Sequence, residues 1–425
     1  MKFVHAADLH LDSPLRGLDR YEGAPAEQLR SATRRALENL VALCLEERVD
    51  FVLLAGDLYD GGWKDYRTGL FFAAQMSKLR AAEIPVFFVR GNHDAESNIT
   101  RSLRLPDNVH ELSSERPETD ARTLERLGVA VHGQSFASRA VTDDLAEGYP
   151  QALPGLFNLG LLHTCASGRP GHDPYAPCTL ETLRHKGYDY WALGHVHARE
   201  VLATDPWVVF PGNLQGRHAR ESGPKGATLV TVEQGRVISA EARALDAVRW
   251  AACDVDAGDA QSGDEVVDRV RASLTRALAE AGGRTVAARV TITGTTRAHT
   301  ALAGDFDKWS NEIRSVANDV GGEGVWVEKI RVHTQSAIDL KGLGERDDAL
   351  GQLVRALGEL RTDEVARRAL LEDLVDLKHK LPPELRDGED GLKLDDPELV
   401  TSLLEDIEQL LVPRLLERAG GGEEP

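Results

Sequence analysis

The chain has 425 residues, of which 42% are hydrophobic, and it carries a formal net charge of −19 at pH 7. This length predicts two or three domains with large cores. The excess of acidic residues makes the net charge of the protein unfavourable for binding nucleic acid, because affinity for phosphates comes largely from Lys and Arg. The sequence contains no run of about eighteen apolar residues, so no membrane span is predicted. The first predicted strand starts at Lys2. We therefore expect a cytoplasmic protein without a signal peptide.

Five short apolar runs in the first half of the chain each end at residue types that bind metals. Runs of four to seven residues that are rich in Val, Leu and Phe, and that stop at polar residues or Gly, predict buried strands. Polar side chains at corresponding strand ends would meet at one edge of a sheet, so the sequence predicts a metal site there. The residues after the five runs are Asp8 and His10, Asp57, the triplet Asn92-His93-Asp94, His163, and His195 with His197.

Helices are predicted between the first strands. Leu29, Leu37 and Leu40 have the spacing of an amphipathic helix, and residues 66–82 show a similar pattern. Strands that alternate with helices predict an α/β sheet. After residue 82 the apolar runs follow one another with less room for helices, so we expect strands to dominate the second part of this region.

A domain boundary is predicted near Leu245. Residues 1–245 form the first predicted domain, and the β-α-β-α-β order of residues 246–340 is typical of a small α+β domain. The pattern of residues 341–419 is charged and helical, and residues 420–425 are predicted to be a disordered tail.

The candidate ligands combine oxygen and nitrogen donors without a thiolate. Such a set suits Mn, Fe or Zn better than Ca, which prefers oxygen alone. Seven ligands exceed what one ion needs, and sharing Asp57 would give two divalent ions about 3.5–4 Å apart, the spacing that serves displacement at phosphorus. The predicted metal ligands are Asp8, His10, Asp57, Asn92, His163, His195 and His197.

His93 and Asp94 are the predicted catalytic residues. His93 directly follows the ligand Asn92, so its ring can protonate a leaving oxygen or stabilise charge in the transition state. Asp94 is predicted to orient that ring and to raise its pKa.

The ordered motifs DLH, GD, GNHD, a single His after an apolar strand, and GHVH resemble the calcineurin-like metallophosphoesterase superfamily. Within it the chain looks like the SbcD-type DNA repair exonucleases, and more narrowly their YhaO-like branch, through HLDSPLRGL, GDLYDGG and PGNLQGRH. The resemblance implies a two-sheet αββα sandwich with the metals at its edge, a small α+β capping domain at 246–340 that helps to place DNA, and a helical region that docks an SMC-like ATPase.

The resemblance also assigns the ligands to the two ions. One ion would lie on Asp8, His10, Asp57 and His197, and the other on Asp57, Asn92, His163 and His195, with His93 as the catalytic histidine. Manganese is the expected metal, with Fe or Zn as alternatives. The implied partners are DNA and an SbcC-like or YhaN-like ATPase subunit, without a membrane, and a homodimer is compatible with the pattern. The chain departs from archaeal and eukaryotic relatives in having Asp60 where they often have a second histidine, which leaves the role of this position open.

Arg217 and His218 are the predicted substrate-binding residues. Together with Arg220 and Lys225 they form the nearest basic segment after the last metal motif, and they can hold DNA phosphates through charge-assisted hydrogen bonds. An ordinary solvated loop is the alternative.

The leading hypothesis is a two-metal-dependent phosphodiesterase that acts as a DNA exonuclease or endonuclease in DNA repair. A small-molecule or cyclic-nucleotide phosphodiesterase would use the same ligands, and a non-catalytic assembly subunit is the hypothesis from another class. The region after residue 245 favours the nuclease, because a small substrate needs no capping domain.

Overall fold

The computed structural model describes most of the chain. Of the predicted tail, residues 421–425 lie outside the described residues, whereas Gly420 is the last residue of a helix. The described residues are 1–13, 25–60, 66–96, 104–166, 175–373, 380–382 and 397–420.

Fifteen strands are present in the described residues. They are β1 (Lys2–Ala6), β2 (Phe51–Ala55), β3 (Val86–Val89), β4 (Val109–Glu111), β5 (Glu118–Asp120), β6 (Val129–Gly133), β7 (Phe157–His163), β8 (Tyr190–Gly194), β9 (Glu200–Thr204), β10 (Trp207–Phe210), β11 (Gly226–Glu233), β12 (Arg236–Ala244), β13 (Val248–Asp256), β14 (Thr285–Thr296) and β15 (Val325–Ser336).

The helices flank these strands in the first half and dominate the end of the chain. Those of the described residues are α1 (Ala26–Glu46), α2 (Tyr66–Ala81), α3 (Asn92–Glu96), α4 (Leu180–His185), α5 (Gly263–Glu280), α6 (His299–Gly304), α7 (Phe306–Gly321), α8 (Leu340–Gly344), α9 (Ala349–Thr362), α10 (Glu364–Asp373) and α11 (Pro397–Gly420).

Two six-stranded sheets form the first part of the protein, in the orders β12-β11-β1-β2-β3-β4 and β5-β6-β7-β8-β10-β9. In the first sheet β1 to β4 are parallel, and β11 and β12 extend it as an antiparallel hairpin. In the second sheet β6, β7, β8 and β10 are parallel, with antiparallel edges at β5 and β9. The carboxyl ends of four consecutive parallel strands in each sheet are therefore available to carry functional residues.

The sheets pack face to face through the alternating side chains of their strands. Phe3, Phe51 and Phe87 of the first sheet share one buried cluster with Leu159 and Tyr190 of the second. Alternate residues of a strand point to opposite faces, and the other face of the first sheet packs on α1 and α2. Burial of each such side chain stabilises the fold by about 1.5–3 kcal/mol.

The outer face of the second sheet is covered as well. Leu162, Trp191 and Leu193 pack there with Leu183 of α4 and with Tyr149. The result is the predicted αββα sandwich, and the predicted fold class is confirmed.

A third sheet has three strands in the order β13-β14-β15. Its strands and α5 and α7 have the predicted β-α-β-α-β order, with the short α6 as an addition that the sequence pattern did not predict.

The chain divides into two compact units. The first comprises Met1–Ala252, Ala277–Arg289 and Glu323–Glu328, and the second comprises Cys253–Arg276, Val290–Gly322 and Lys329–Pro425. The proposed divisions at 245/246 and 340/341 stay predictions.

The second unit contains the C-terminal helices, which pack on one another. Leu357 of α9 and Leu404 and Val412 of α11 are buried, and Arg361 donates a hydrogen bond of 3.2 Å to the buried Glu408. Within the described part of the chain, no helix has both the length and the apolar character to cross a membrane.

Candidate metal centre

The predicted ligands follow the carboxyl ends of five parallel strands. Asp8 and His10 come after β1, Asp57 after β2 and Asn92 after β3. In the second sheet His163 is the last residue of β7, and His195 and His197 follow β8. The two sheets face each other, so their strand ends bring all seven residues to one edge of the sandwich.

The first donor cluster consists of Asp8, His10 and His197 together with Asp57. The Nε2 atoms of His10 and His197 are 3.3 Å apart. His197 Nε2 is 3.9 Å from Asp8 Oδ1, and His10 Nε2 is 3.9 Å from Asp57 Oδ2. One donor atom from each of Asp8, His10 and His197 lies within 4.8 Å of the other two, close enough to hold one ion.

The second donor cluster consists of Asp57, Asn92, His163 and His195. His163 Nε2 is 3.0 Å from Asn92 Oδ1 and 3.5 Å from Asp57 Oδ2. The ring of His195 lies 5.2 Å from that of His163, measured between centroids. Asp57 therefore lies between the two clusters, as the assignment of a shared carboxylate requires.

Four of the seven residues have a left-handed backbone. The φ angles are 52° at Asp8, 43° at His10, 54° at Asp57 and 101° at His195. Such conformations cost on the order of 1–3 kcal/mol each and persist where the surroundings enforce them. Main-chain hydrogen bonds of 3.0 Å, from Asp8 N to Gly56 O and from His10 N to Asp57 O, tie the two loops together past the ends of β1 and β2.

Glycine accompanies the ligands because the loops approach closely. A Cβ atom at Gly91 would overlap the Asp57 carboxylate and His163, and one at Gly56 would overlap the His163 ring. The glycines of the GD and GN motifs thus leave room for the ligand side chains.

The ring nitrogens that point away from the clusters have acceptors. His10 Nδ1 is 2.6 Å from Asp60 Oδ1, and His197 Nδ1 is 2.6 Å from Glu221 Oε1. His163 Nδ1 is 2.9 Å from the carbonyl oxygen of Ala55. Since carbonyl and carboxylate oxygens accept, each of these rings carries its proton on Nδ1, and Nε2 presents a lone pair to the centre.

Both acidic partners are ionised. Burial alone would raise the pKa of Asp60 and Glu221. The hydrogen bonds from His10 to Asp60 and from His197 to Glu221, with the charge of Arg217, outweigh burial and hold both pKa values well below their usual range. Burial also lowers the pKa of His10 to about 4 and that of His163 to about 3, which keeps these rings neutral near pH 7.

This arrangement fits cations. Two Nε2 lone pairs face each other between His10 and His197, and a third faces the Asn92 oxygen. Burial raises the pKa of Asp8 well above its usual range, and the charge of Asp57 adds to the effect. Paired acceptors and adjacent buried carboxylates are unfavourable without positive charge between them, so the donor set suits two divalent ions with mixed N and O ligands.

His93 lies beside the first donor cluster. Its ring centroid is 5.0 Å from that of His10, its Nδ1 is 3.4 Å from Asp60 Oδ1, and its side chain is 37% exposed, so a substrate can reach it.

The position of Asp94 corrects the prediction that it orients His93. Its fully buried carboxylate accepts hydrogen bonds from the backbone N–H groups of Leu58, Tyr59 and Gly91, at 2.9 to 3.2 Å. Asp94 therefore braces the loops that carry Asp57 and Asn92, and Asp60 is the carboxylate beside the His93 ring.

Arg217 lies at the rim of the first donor cluster. Its guanidinium group is 3.6 Å from Asp60 and 3.4 Å from Glu221, and its side chain is only 17% exposed. His218 is 55% exposed. Lys225 donates a hydrogen bond of 2.7 Å to the carbonyl oxygen of His197. The predicted basic segment thus contains Arg217 at the rim of the centre, the exposed His218 and Arg220, and one lysine that supports the loop.

The roles of Asp60 and Glu221 become visible only in the structure. Asp60 is 50 positions from His10 and Glu221 is 24 positions from His197, and no periodicity links residues so far apart. The only available signals were the proximity of Asp60 to Asp57 and the Arg217–Glu221 spacing.

Comparisons with known proteins identify the family of the chain. The calcineurin-like phosphoesterase family matches residues 1–199, and the middle domain of metallophosphoesterase YhaO matches residues 250–335. The uncharacterized metallophosphoesterase YhaO of Bacillus subtilis (strain 168) is 36% identical over 297 residues, which cover 69% of this chain and 72% of that protein. The chain belongs to the calcineurin-like metallophosphoesterases. It is a metal-dependent phosphoesterase, and the superfamily named from its motifs is confirmed.

Solved structures with similarity to this metallophosphoesterase include TT1561 of Thermus thermophilus, with 16% identity over 57% of this chain and 99% of that chain at a TM-score of 0.33. A dimetal phosphatase from Danio rerio is 12% identical over 55% of this chain and 93% of that chain, at a TM-score of 0.34. Calcineurin-like metallophosphoesterases use two divalent ions. In this chain Asp8, His10 and His197 form one group that could hold a metal ion, and Asp57 and His163 form another together with Asp8.

Proposed function

We propose that this metallophosphoesterase is a two-metal-dependent phosphodiesterase that cleaves DNA, as an exonuclease or endonuclease of the SbcD type in DNA repair. The expected ions are Mn, with Fe or Zn as alternatives, and the expected location is the cytoplasm. Divalent ions in the two clusters would polarise the phosphoryl oxygens and lower the pKa of water.

The residues around the two clusters would have separate roles in proton transfer, phosphate binding and support of the loops. Asp60, beside His93 Nδ1, would stabilise the protonated ring, whose Nε2 proton can pass to the leaving oxygen. The guanidinium group of Arg217 can pair with a non-bridging phosphate oxygen. Asp94 holds the loops that carry Asp57 and Asn92.

The position of Arg217 is the observation that carries the proposal of a phosphodiester substrate. A planar cation beside the donors, followed in sequence by the exposed His218 and Arg220, gives a polynucleotide one contact at the scissile phosphate and further contacts along its backbone. A second matched region at residues 250–335, beyond the part of the chain that carries the donors, supports a substrate larger than a nucleotide, because a small substrate needs no additional domain.

A small-molecule or cyclic-nucleotide phosphodiesterase is the second candidate. Arg217 already pairs with Glu221, and Lys225 already donates a hydrogen bond to the His197 carbonyl. Both interactions reduce the basic surface offered to a long polyanion and therefore favour this candidate. The net charge of −19 points the same way. The hypothesis of a non-catalytic assembly subunit is set aside by the family assignment.

Cleavage of labelled linear duplex and single-stranded DNA with Mn, beside bis-p-nitrophenyl phosphate, tests the proposal. We expect metal-dependent cleavage of DNA and of the small diester, both abolished by a chelator. Hydrolysis of the small diester without any cleavage of DNA would favour the second candidate. The same assay with end-labelled and circular DNA distinguishes exonuclease from endonuclease action.

The proposed partner is an SMC-like ATPase, SbcC-like or YhaN-like, that binds the helical region at 341–419. This proposal is supported by three exposed apolar residues at four-residue spacing on α11, Ile407, Leu411 and Leu415, which form one face of a helix. A homodimer is the alternative occupant of this face.

Two variants test the partner. Truncation after residue 340 should abolish binding of the ATPase, and replacement of Ile407 and Leu411 by Asp should do the same without removing the buried residues of α11. Hydrolysis of the small diester should be retained in both variants. ATPase binding that survives both changes would place the contact elsewhere, and light scattering reports whether the apolar face holds a second copy instead.

A further inference from the structure

Glu221 is a buried carboxylate that four hydrogen-bond donors surround. Its Oε1 lies 2.6 Å from His197 Nδ1 and 3.4 Å from the guanidinium group of Arg217, and its side chain is 7% exposed. Its Oε2 accepts hydrogen bonds from Asn213 Nδ2 at 2.9 Å and from the backbone N–H of Arg217 at 2.7 Å. A buried charge with this many donors is held in one place and one orientation.

The loop that carries Glu221 is itself anchored. Gln215 Oε1 accepts from the N–H groups of Ala247 and Val248 at 2.7 and 3.2 Å, and its Nε2 donates to Val248 O at 2.7 Å. Trp250 Nε1 donates to Gly216 O at 2.9 Å. All of these residues belong to the first compact unit, so Glu221 is fixed to the same body as His197.

His197 needs such support more than His10 and His163 do. Its side chain is 23% exposed, whereas those of His10 and His163 are 1% and 0% exposed. Close packing restrains the rotamers of the two buried rings, but it restrains His197 much less. The hydrogen bond to Glu221 is the contact that can select both the orientation and the tautomer of this ring.

We infer that Glu221 is a positioning residue of the first donor cluster: it holds His197 with its proton on Nδ1 and its Nε2 lone pair directed at the space between Asp8 and His10. The inference rests on the two-metal part of the proposed function and is independent of the substrate. It predicts that loss of Glu221 weakens one of the two ions selectively, because Glu221 accepts hydrogen bonds from His197, Asn213 and Arg217, and His197 belongs to the first cluster.

The test compares Glu221→Gln and Glu221→Ala with the matched control Glu233→Gln, at an exposed position of β11. Calorimetric titration of the full chain with Mn²⁺ should show two ions for the wild type and the control. In Glu221→Ala the affinity for one ion should fall by about 10–100-fold, the usual effect of removing such a partner, while the other ion binds normally. Glu221→Gln, which keeps the shape and an acceptor oxygen, should lie between them.

A second readout needs neither metal nor turnover. In ¹⁵N-histidine spectra of the metal-free protein, His197 should show the Nδ1-protonated tautomer in the wild type and a tautomer mixture in Glu221→Ala. Wild-type affinity for both ions in both variants would overturn the inference, as would an equal loss of both ions with an unchanged tautomer. Failure to cleave DNA would contradict only the proposed substrate, since both measurements are independent of it.

Discussion

The two donor clusters differ in the groups that accept the Nδ1 hydrogen bonds of His10 and His197 on one side and of His163 on the other. In the first cluster, side-chain carboxylates hold His10 and His197, namely Asp60 and Glu221. In the second, His163 is held by the main-chain carbonyl of Ala55. The first cluster therefore has two carboxylates beside its rings, whose charge Arg217 offsets only in part, and carboxylate acceptors strengthen binding of a cation by making the rings better donors. We expect two ions of unequal affinity, with the first cluster binding more tightly.

Some of the acceptors that hold the histidine rings follow from the fold alone, and others depend on single residues. Any sequence that forms β2 has a main-chain carbonyl at the end of this strand. The support of His163 therefore does not depend on a particular side chain. The carboxylates of the first cluster depend on two particular residues, so substitution there can tune one ion alone.

Asp57→Asn should have the largest effect, because it removes the charge that both clusters share. We expect loss of Mn-dependent hydrolysis of bis-p-nitrophenyl phosphate and weaker binding of both ions, with an unchanged thermal unfolding profile of the metal-free protein. Undiminished turnover by this variant would refute the two-metal assignment.

His93→Asn tests a residue that neither cluster requires. Turnover should fall by about 10²–10⁴-fold, the contribution of a positioned acid-base group, while calorimetry still shows two bound ions. If an ion were lost, His93 would have to be counted among the ligands.

Asp60→Asn tests whether the two ions respond independently. It removes the charge behind His10 and keeps an acceptor oxygen, so the affinity for the ion of the first cluster should drop by about 10–100-fold and the other should be unaffected. Asp143→Asn, at an exposed position, is the matched control. Equal weakening of both ions would show that the clusters do not differ as described.

The smallest effects are expected at the rim. Arg220→Glu should weaken DNA binding and reduce the logarithmic salt slope by about 0.9 for a lost duplex contact, without altering hydrolysis of the small diester. Arg217→Gln should impair both substrates, since its guanidinium group lies within 4 Å of Asp60 and Glu221. Identical behaviour of the two variants would mean that Arg217 acts only as a backbone contact.

Sequence reasoning could predict the sandwich and the strand ends because both depend on local patterns. Apolar runs of the length of β1, β2 and β3 predict strands by themselves, and the residues after them follow from the parallel topology. The positions of Asp60 and Glu221 depend on how loops cross in space, which no local pattern encodes.

The error at Asp94 has a simple geometric origin. His93 and Asp94 are neighbours in sequence, but α3 begins at Asn92, and successive side chains of a helix point about 100° apart. His93 is consequently directed to the open side of the centre and Asp94 to its interior.

The left-handed backbone of the ligand loops restricts which substitutions the centre can accept. Asn, Asp and His enter this conformation more readily than most side chains, so Asn can replace Asp8 or Asp57 with little change in the backbone. At His10 and His195 a replacement must supply a nitrogen donor of the same reach and also tolerate φ values of 43° and 101°. Most side chains are disfavoured by the second demand, whereas His163 lies in a regular strand and only the first demand applies. Random mutagenesis of the five positions should therefore recover metal-binding variants most rarely at residues 10 and 195.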